Sequence, residues 1–497
     1  FRTLDLSELG LYSGVPLAGT ATSSGAEIAT RGPRTDRTDP TDRSDPSARF
    51  LAGEEAALIS VSRGAMVEAT HTGAMAWEAN MEHITTSRRR FLATAAAAGV
   101  FTIVPRHVLG GTGETPPSAK MNIAGIGVGG MGAHNLQQCA AENIVALCDV
   151  DRSYAAKTFA QYPNAKVYAD YRRMFDEQKD IEGVVIATPD HTHAVIAMAA
   201  MRRGLHVYCQ KPLTHDVYES RTLAHAARET GVTTQMGIQG HSGEGLRLIC
   251  EWISDGAIGA VQSVDAWCSL SYYPPGHAGW SSKWSDRPTD TPAVPEGLDW
   301  DLWLGPAPYR PYHPAYHPAV WRCWWDFGCG MMGDRGVHTL DCVYTALQLG
   351  PPETIEASVM GGNAETHPLA AIVTFRFPAR DALAPRVVTW YEGLEPPRPI
   401  DMEEGRQLPA EGGVLFRGEK GTIVCGVYGD SPRLVPESAM QAYEQPEKTL
   451  PRVVGTHEEN WIRACKEKRP AGACFDYAGP LTELALLGNV ARRFPGH

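Results

Sequence analysis

Among its 497 residues the chain has little that would build a disulfide framework, a zinc cage, a membrane bundle or a nucleic-acid surface. Its eleven cysteines are odd in number and contain no C-x-x-C pair, so they read as ordinary buried thiols. No stretch of about 20 apolar residues is free of charge, which excludes a multi-span helical membrane protein. Forty-five basic residues against 57 acidic ones give a formal net charge of -12, which argues against a chain built to neutralise phosphates. No repeat of solenoid or propeller period is visible. No pair of carboxylates can be placed for ordinary glycoside hydrolysis. At about 100–200 residues per domain the length allows two or three domains.

The first eighty residues add little to that. Arg34 to Pro46 reads RTDRTDPTDRSDP, which has no apolar side chain with which to offset its ordering entropy. Residues 1–80 are expected to be a disordered tail or an over-extended reading frame, with Met81 as the alternative start. Ser87-Arg88-Arg89-Arg90-Phe91-Leu92 then matches the twin-arginine export signature, and an apolar run from Phe91 to Val104 ends at Pro105. The alternative is an amphipathic N-terminal helix. Residues 81–119 are therefore expected to be an export signal and linker, read by the twin-arginine translocase and leading to a periplasmic or cell-envelope location. No cysteine follows the run, which argues against a lipoprotein anchor, and no A-x-A before Lys120 marks a cleavage point. Because this route carries folded proteins, a nucleotide cofactor is expected to travel tightly held.

Chemistry begins after Lys120. The short apolar run Met121 to Ile126 leads into Gly127-Val128-Gly129-Gly130-Met131-Gly132, and a helix follows through Leu136 and Cys139. Strand, G-x-G-x-x-G and helix together let a backbone turn approach a pyrophosphate that lies on a helix N-terminus. The next apolar run, Ile144 to Cys148, ends in Asp149, about 20 residues on, where ribose recognition needs a carboxylate. Asp149 favours an unphosphorylated ribose, whereas Arg152 nearby suits a phosphate. NAD is the expected cofactor and NADP stays open. Strands at Gly183–Ala187, His206–Cys209 and Thr233–Gly237 alternate with helices at His193–Arg203 and Tyr218–Glu229, the pattern of a doubly wound parallel sheet over residues 120–240. Thr188, Pro189 and Asp190, and then Gln210, Lys211 and Pro212, fall at its ligand-binding strand ends.

Gly127-x-Gly129-x-x-Gly132, Thr188-Pro189-Asp190-x-x-His193, Lys211-Pro212 and Asp334-x-x-x-His338, taken in this order, resemble the glucose–fructose oxidoreductase, inositol dehydrogenase and rhizopine-catabolism (Gfo/Idh/MocA) family. The resemblance runs from Lys120 to the C-terminus. It implies a Rossmann domain followed by an α/β domain, residues 241–497, whose large, open, mainly antiparallel sheet binds substrate and often another subunit. A homo-oligomer is expected. It also implies that Lys211 lies near the nicotinamide and the reacting hydroxyl, and that His193 helps position the cofactor. Gln210 stands where the family usually has Glu, so it can hydrogen-bond a ribose hydroxyl but brings no charge.

In the second half, a glycine-rich approach, Trp325 to Gly333, leads to Asp334 and His338, which share a face if a helix runs through both. Oxidation of a secondary alcohol needs a group to take the O–H proton as hydride leaves. His338 suits that task, Asp334 can orient its ring, and Lys211 can polarise the alcohol oxygen. A helix cap and a satisfied core histidine are the structural alternative. Asp341 either meets substrate or closes a helix turn. His191, His193, His313 and His317 have no acidic partner at metal-binding spacing, so no metal is expected. The segment from Ser271 to Trp325 is crowded with aromatics, matching either a sugar site or an interdomain core; Tyr272, Tyr273, His313 and Arg322 are its candidate substrate contacts. Alternating runs at Ala371–Phe377, Arg386–Tyr391 and Gly421–Cys425 read as strands, Pro396–Gly412 as a surface loop, and His457–Lys466 and Leu481–Arg492 as helices. The expected activity is hydride transfer between NAD(P) and a hydroxyl of a sugar, polyol or glycoside. The alternatives are an NAD-dependent glycosidase working by oxidation, elimination and reduction, and a sugar-binding protein without turnover.

Overall fold

The computed structural model describes residues 4–5, 119–273, 281–380 and 383–495. The expected disordered tail and export signal lie outside the described residues, apart from Leu4–Asp5 and the residues at 119–120. Six strands form the first sheet: Asn122–Ile126 (β1), Asn143–Cys148 (β2), Lys166–Tyr168 (β3), Gly183–Ile186 (β4), His206–Gln210 (β5) and Thr234–Gly237 (β6). Every pairing is parallel and the order is β3-β2-β1-β4-β5-β6. β4 is buried along its whole length, as a strand covered on both faces requires. Helices Met131–Gln138 (α1), Arg152–Gln161 (α2), Tyr171–Glu177 (α3), Asp190–Met201 (α4) and Val217–Thr230 (α5) supply the crossovers. α5 shows local signals agreeing with the fold: an Asp216–Glu219 capping box starts it, and Gly231 ends it at φ 66°. The strand order reverses between β1 and β4, so ligands of such a sheet bind at the carboxyl ends of those two strands.

The chain continues through Glu244–Asp255 (α6) to Val261–Cys268 (β7), which becomes the centre of a second sheet. Thr354–Met360 (β8), Ala370–Phe377 (β9), Arg386–Glu392 (β10), Gly413–Gly418 (β11), Thr422–Gly426 (β12) and Arg433–Val435 (β13) complete it, with Leu4–Asp5 paired to β8 at one edge. The order from that edge is β8-β9-β10-β7-β11-β12-β13, and only the β10–β7 pair is parallel. The loop at 396–412 has no helix or strand, yet Met402 and Leu408 pack with Trp267, Leu415, Val424 and Val435.

Two further helices, His457–Glu467 (α10) and Phe475–Arg493 (α11), return to the first domain; Trp300–Leu304 (α7), Val337–Ala346 (α8) and Glu437–Ala442 (α9) precede them. Trp461, Ile462 and Cys465 of α10 join Met121, Ile123, Leu136 and Tyr208 in one buried cluster. α11 begins earlier than the apolar stripe suggests and runs through Pro480, because it lies along α5: Ser220 Oγ donates to the Gly479 carbonyl at 2.8 Å, and Arg221 pairs with Glu483 at 2.6 Å. Residues 241–497 therefore include two helices that complete the nucleotide-binding half. No described helix is long and apolar enough to cross a membrane.

Candidate active site

A cavity of about 690 Å³ lies at the carboxyl ends of β1 and β4 and extends to the second domain. That volume is within the roughly 300–1,000 Å³ typical of small-molecule and cofactor sites. Gly127, Gly129, Gly130 and Met131 form one wall. Gly127 sits at φ +77°, a conformation that side chains resist. Gly132 is not in the wall; a Cβ there would stand 2.0 Å from the Gly127 carbonyl oxygen, so the third glycine lets α1 pack against the turn. Gly132→Ala is therefore expected to push α1 off the loop and weaken NAD binding by at least about tenfold, roughly 1.4 kcal/mol, measured by calorimetric titration. Unchanged affinity would show that the loop does not hold the dinucleotide.

Asp149 follows β2 as expected. Its Oδ2 accepts the N–H groups of Val128 (2.8 Å) and Gly129 (3.1 Å), and its Oδ1 accepts that of Asp151 (3.0 Å). Burial raises its pKa, while these three bonds oppose the rise. Arg152 is exposed and outside the wall; Arg172, on α3, lines it instead and is paired with Asp170 at 2.8 Å. Two carboxylates, Asp149 and Asp170, thus line this end of the cavity and Arg172 beside them is already paired, a poor setting for an additional 2′-phosphate.

Thr188, Pro189, Asp190 and His193 line the next stretch. The His193 ring faces the carbonyl oxygens of Pro212 and Thr188, each at 2.8 Å, so it joins the loops after β4 and β5. Burial lowers its pKa to about 4. Asp190 accepts the Cys329 N–H at 3.0 Å, tying the nucleotide domain to the glycine-rich approach. Gln210 reaches the wall, with its Nε2 donating to Asn135 Oδ1 (2.9 Å); Asn135 in turn donates to Glu458 of α10 (2.7 Å).

The catalytic candidates converge. Lys211 Nζ forms a short ion pair with Asp334 Oδ1, Tyr272 Oη donates to Asp334 Oδ2 at 3.0 Å, and Arg322 Nε lies 4.0 Å from the same carboxylate. Burial pushes Asp334 up, but the charges of Lys211 and Arg322 outweigh it and hold the carboxyl well below its usual range. Asp334 sits in a single π-helical turn, Met332–Gly336, a distortion often found at functional sites. α8 follows it and carries His338 in its first turn. Burial first, then the Lys211 charge, drive the His338 pKa well below 6.5, so the ring is neutral at pH 7. His338 lines the cavity, and its buried Nδ1 has no hydrogen-bond partner among the described residues. The hydrogen bonds of Asp334 thus run to Lys211 and Tyr272; Asp334 acts on His338 through charge, raising its pKa against the larger effects.

Other candidates lie elsewhere. Asp341 accepts from Tyr477 Oη (2.5 Å) and meets His241 Nδ1 (2.9 Å) outside the wall, which is a structural network behind α8. Tyr273 Oη donates to the His367 carbonyl (3.0 Å), and His313 lies 3.3 Å from Asp290 with its ring edge-on to Trp284; neither reaches the cavity. Arg322 does reach it, stacked 4.2 Å over Trp321. Trp303, from the aromatic segment, and His317, considered only as a metal ligand, also line it, as do Arg335, Tyr428 and Gln239, which were not anticipated. Arg335 adjoins Asp334 in sequence, which is the one signal that points to it; the others arrive from distant segments. Among the described residues no three His, Cys, Asp or Glu side chains converge on a metal position.

A dinucleotide fits these donors: a glycine turn for the pyrophosphate, Asp149 for a ribose, and an unpartnered imidazole nitrogen beside Lys211 at the far end. Comparison with known proteins agrees. Residues 121–238 match the model of the oxidoreductase family, NAD-binding Rossmann fold, and residues 275–377 match that of the same family's C-terminal alpha/beta domain. A levoglucosan dehydrogenase from Pseudarthrobacter phenanthrenivorans is 29% identical over 154 residues, covering 29% of this chain and 39% of that protein. A glycosyl hydrolase family 109 protein from Stenotrophomonas maltophilia is 33% identical over 136 residues, covering 25% of this chain and 29% of that protein. The match therefore spans about two fifths of the first relative's length. Among solved structures, the WlbA dehydrogenase from Bordetella pertussis, in complex with NADH and UDP-GlcNAcA, shares the fold with a TM-score of 0.53 at 17% identity, over 76% of this chain and 97% of that one. The two matches, in this order, make residues 121–238 and 275–377 similar to the two domains of the Gfo/Idh/MocA oxidoreductases.

Proposed function

We propose that the chain is an NAD-dependent oxidoreductase acting on a secondary hydroxyl of a sugar or polyol. The observation that carries this reading is the placement of Lys211 and neutral His338 in one cavity with the glycine turn. Bound NAD supplies the hydride acceptor. Lys211, fixed by Asp334, holds the alcohol oxygen and favours its alkoxide. His338 accepts the hydroxyl proton, for which its neutral ring is ready.

Similarity to a glycosyl hydrolase family 109 protein favours a second reading: oxidation at one ring carbon, elimination of the aglycone, then reduction, with no net NADH. One assay separates the two. The full chain is incubated with NAD and a panel of polyols, anhydrosugars and aryl glycosides, following NADH absorbance and released phenol together. NADH formation with a polyol or free sugar supports the dehydrogenase. Phenol release without NADH supports the glycosidase, and neither product from any compound would count against both.

Export by the twin-arginine route is also proposed, supported by Ser87 to Leu92 and the apolar run after it. So is a homo-oligomer, supported by exposed apolar side chains on and beside the second sheet: Met360, Leu369, Ile372, Leu394 and Ile400.

A further inference from the structure

The aromatic segment 297–322 is joined to the nucleotide domain just beyond Asp149. The Asp299 N–H donates to the Val150 carbonyl (2.9 Å), the Arg152 N–H donates to the Gly297 carbonyl (3.0 Å), and Asp151 forms a bridge with Leu298. His317 completes the junction, its Nε2 lying 2.8 Å from Asp151 Oδ2 with both side chains nearly buried. The other oxygen of Asp151 accepts the N–H groups of Ser153 and Tyr154, each at 2.9 Å, so the carboxylate is held at the start of α2.

A carboxylate can only accept, so the Nε2 of His317 carries a proton toward Asp151, and Nδ1 is the ring nitrogen left over. That Nδ1 is buried and has no partner among the described residues, while the residue lines the dinucleotide cavity. A buried polar nitrogen without a partner is costly, and because the residue lines the cavity it points to a polar partner on a molecule inside it. At the Asp149 end, the polar groups a dinucleotide offers are the adenosine's hydroxyls, amine and ring nitrogens.

We propose that His317 binds the adenosine half of NAD and that segment 297–322 is a strap holding the cofactor in place between turnovers. Leu302, Trp303, Pro318 and Trp321 of this segment line the same cavity as the glycine turn. Trp303 is itself braced, stacked on Trp300 at 4.5 Å and 11°, with its carbonyl 3.0 Å from His191 Nε2. Departure on this side requires breaking the Asp151–His317 pair and both backbone bonds. The proposal rests on the NAD reading above, and it adds which residues retain the nucleotide.

The test uses the full chain loaded with NADH and mixed rapidly with excess NAD, following the loss of bound-NADH fluorescence. Retained nucleotide is measured in parallel by mass spectrometry after desalting. His317→Ala is expected to release NADH at least about tenfold faster, a change of about 1.4 kcal/mol. Asp151→Asn, which keeps a capping oxygen, is expected to fall between that variant and wild type. His317→Gln, of similar size, gives the answer if the alanine variant fails to fold. Release within twofold of wild type by both His317→Gln and Asp151→Asn overturns the strap, as does wild-type release faster than turnover. Failure of wild type to bind either form of NAD overturns instead the cofactor reading on which the strap rests.

Discussion

His338→Ala is expected to lower the hydride-transfer rate by about 10²–10⁴-fold, the range for loss of a positioned general base. NAD affinity should change little, since the ring stands at the Lys211 end, away from the glycine turn and Asp149. Single-turnover NADH formation, with calorimetric titration of NAD alongside, separates the two quantities. A rate within a few-fold of wild type would remove His338 from the mechanism. The pH profile is a second check. Burial and the Lys211 charge hold the His338 pKa well below 6.5, so the basic form persists as pH falls through 6.5. The kcat/KM for alcohol oxidation should not drop there on account of this ring, and its protonation limb should appear at lower pH. Lys211→Met is a poorer probe, because it leaves Asp334 buried without its partner, a loss that typically costs about 3–5 kcal/mol.

Thermal stability is expected to fall steeply between pH 6.5 and about 4.5. His191, His193 and His457 are buried, and their pKa values are lowered from 6.5 to about 4. The unfolded chain protonates near 6.5 whereas the folded chain stays neutral to about 4. The stability present above 6.5 is therefore lost as pH falls through that window. At about 1.4 kcal/mol per pH unit, each ring accounts for roughly 3 kcal/mol. His338 and His367 shift in the same direction. Asp190 and Glu219, raised by burial to about 6 and about 7, have the opposite sign and gain stability as they protonate. Five histidines against two carboxyls leave a net loss of several kcal/mol, large beside a total of roughly 5–15. Scanning calorimetry should show the unfolding midpoint dropping by roughly 5 °C or more across this range, at about 1–1.5 °C per kcal/mol from the per-residue unfolding entropy of a chain of this size. A flat profile would mean that the rings are solvated or charged in the folded state.

Much of the nucleotide domain was legible before folding because its signals are local. The strands β1, β2, β4 and β5 are built on short apolar runs, the glycine turn needs backbone freedom within six residues, and Asp149 follows at a spacing set by one crossover. β7 was not read, although it is the central strand of the second sheet. Its sequence, VQSVDAWC, mixes polar and apolar residues, and its burial comes from partners more than 100 residues away in β10 and β11. Asp341 shows the same limit in the site. Three residues past His338, it projects toward His241 and Tyr477, because α8 turns one face to the cavity and another to α11.

Local spacing determined the fold of the first domain, the glycine turn, Asp149 and the candidacy of Lys211, Asp334 and His338, since each belongs to a short motif whose geometry the backbone enforces. Tertiary structure decided which charges meet. Lys211 and Asp334 are 123 residues apart, Asp151 and His317 are 166 apart, and Asn135 and Glu458 are 323 apart. Pairing over such separations depends on how two sheets and the returning helices α10 and α11 pack. Burial follows from the same packing and leaves His338 neutral, while the Lys211 and Arg322 charges that packing brings together keep Asp334 charged against that desolvation.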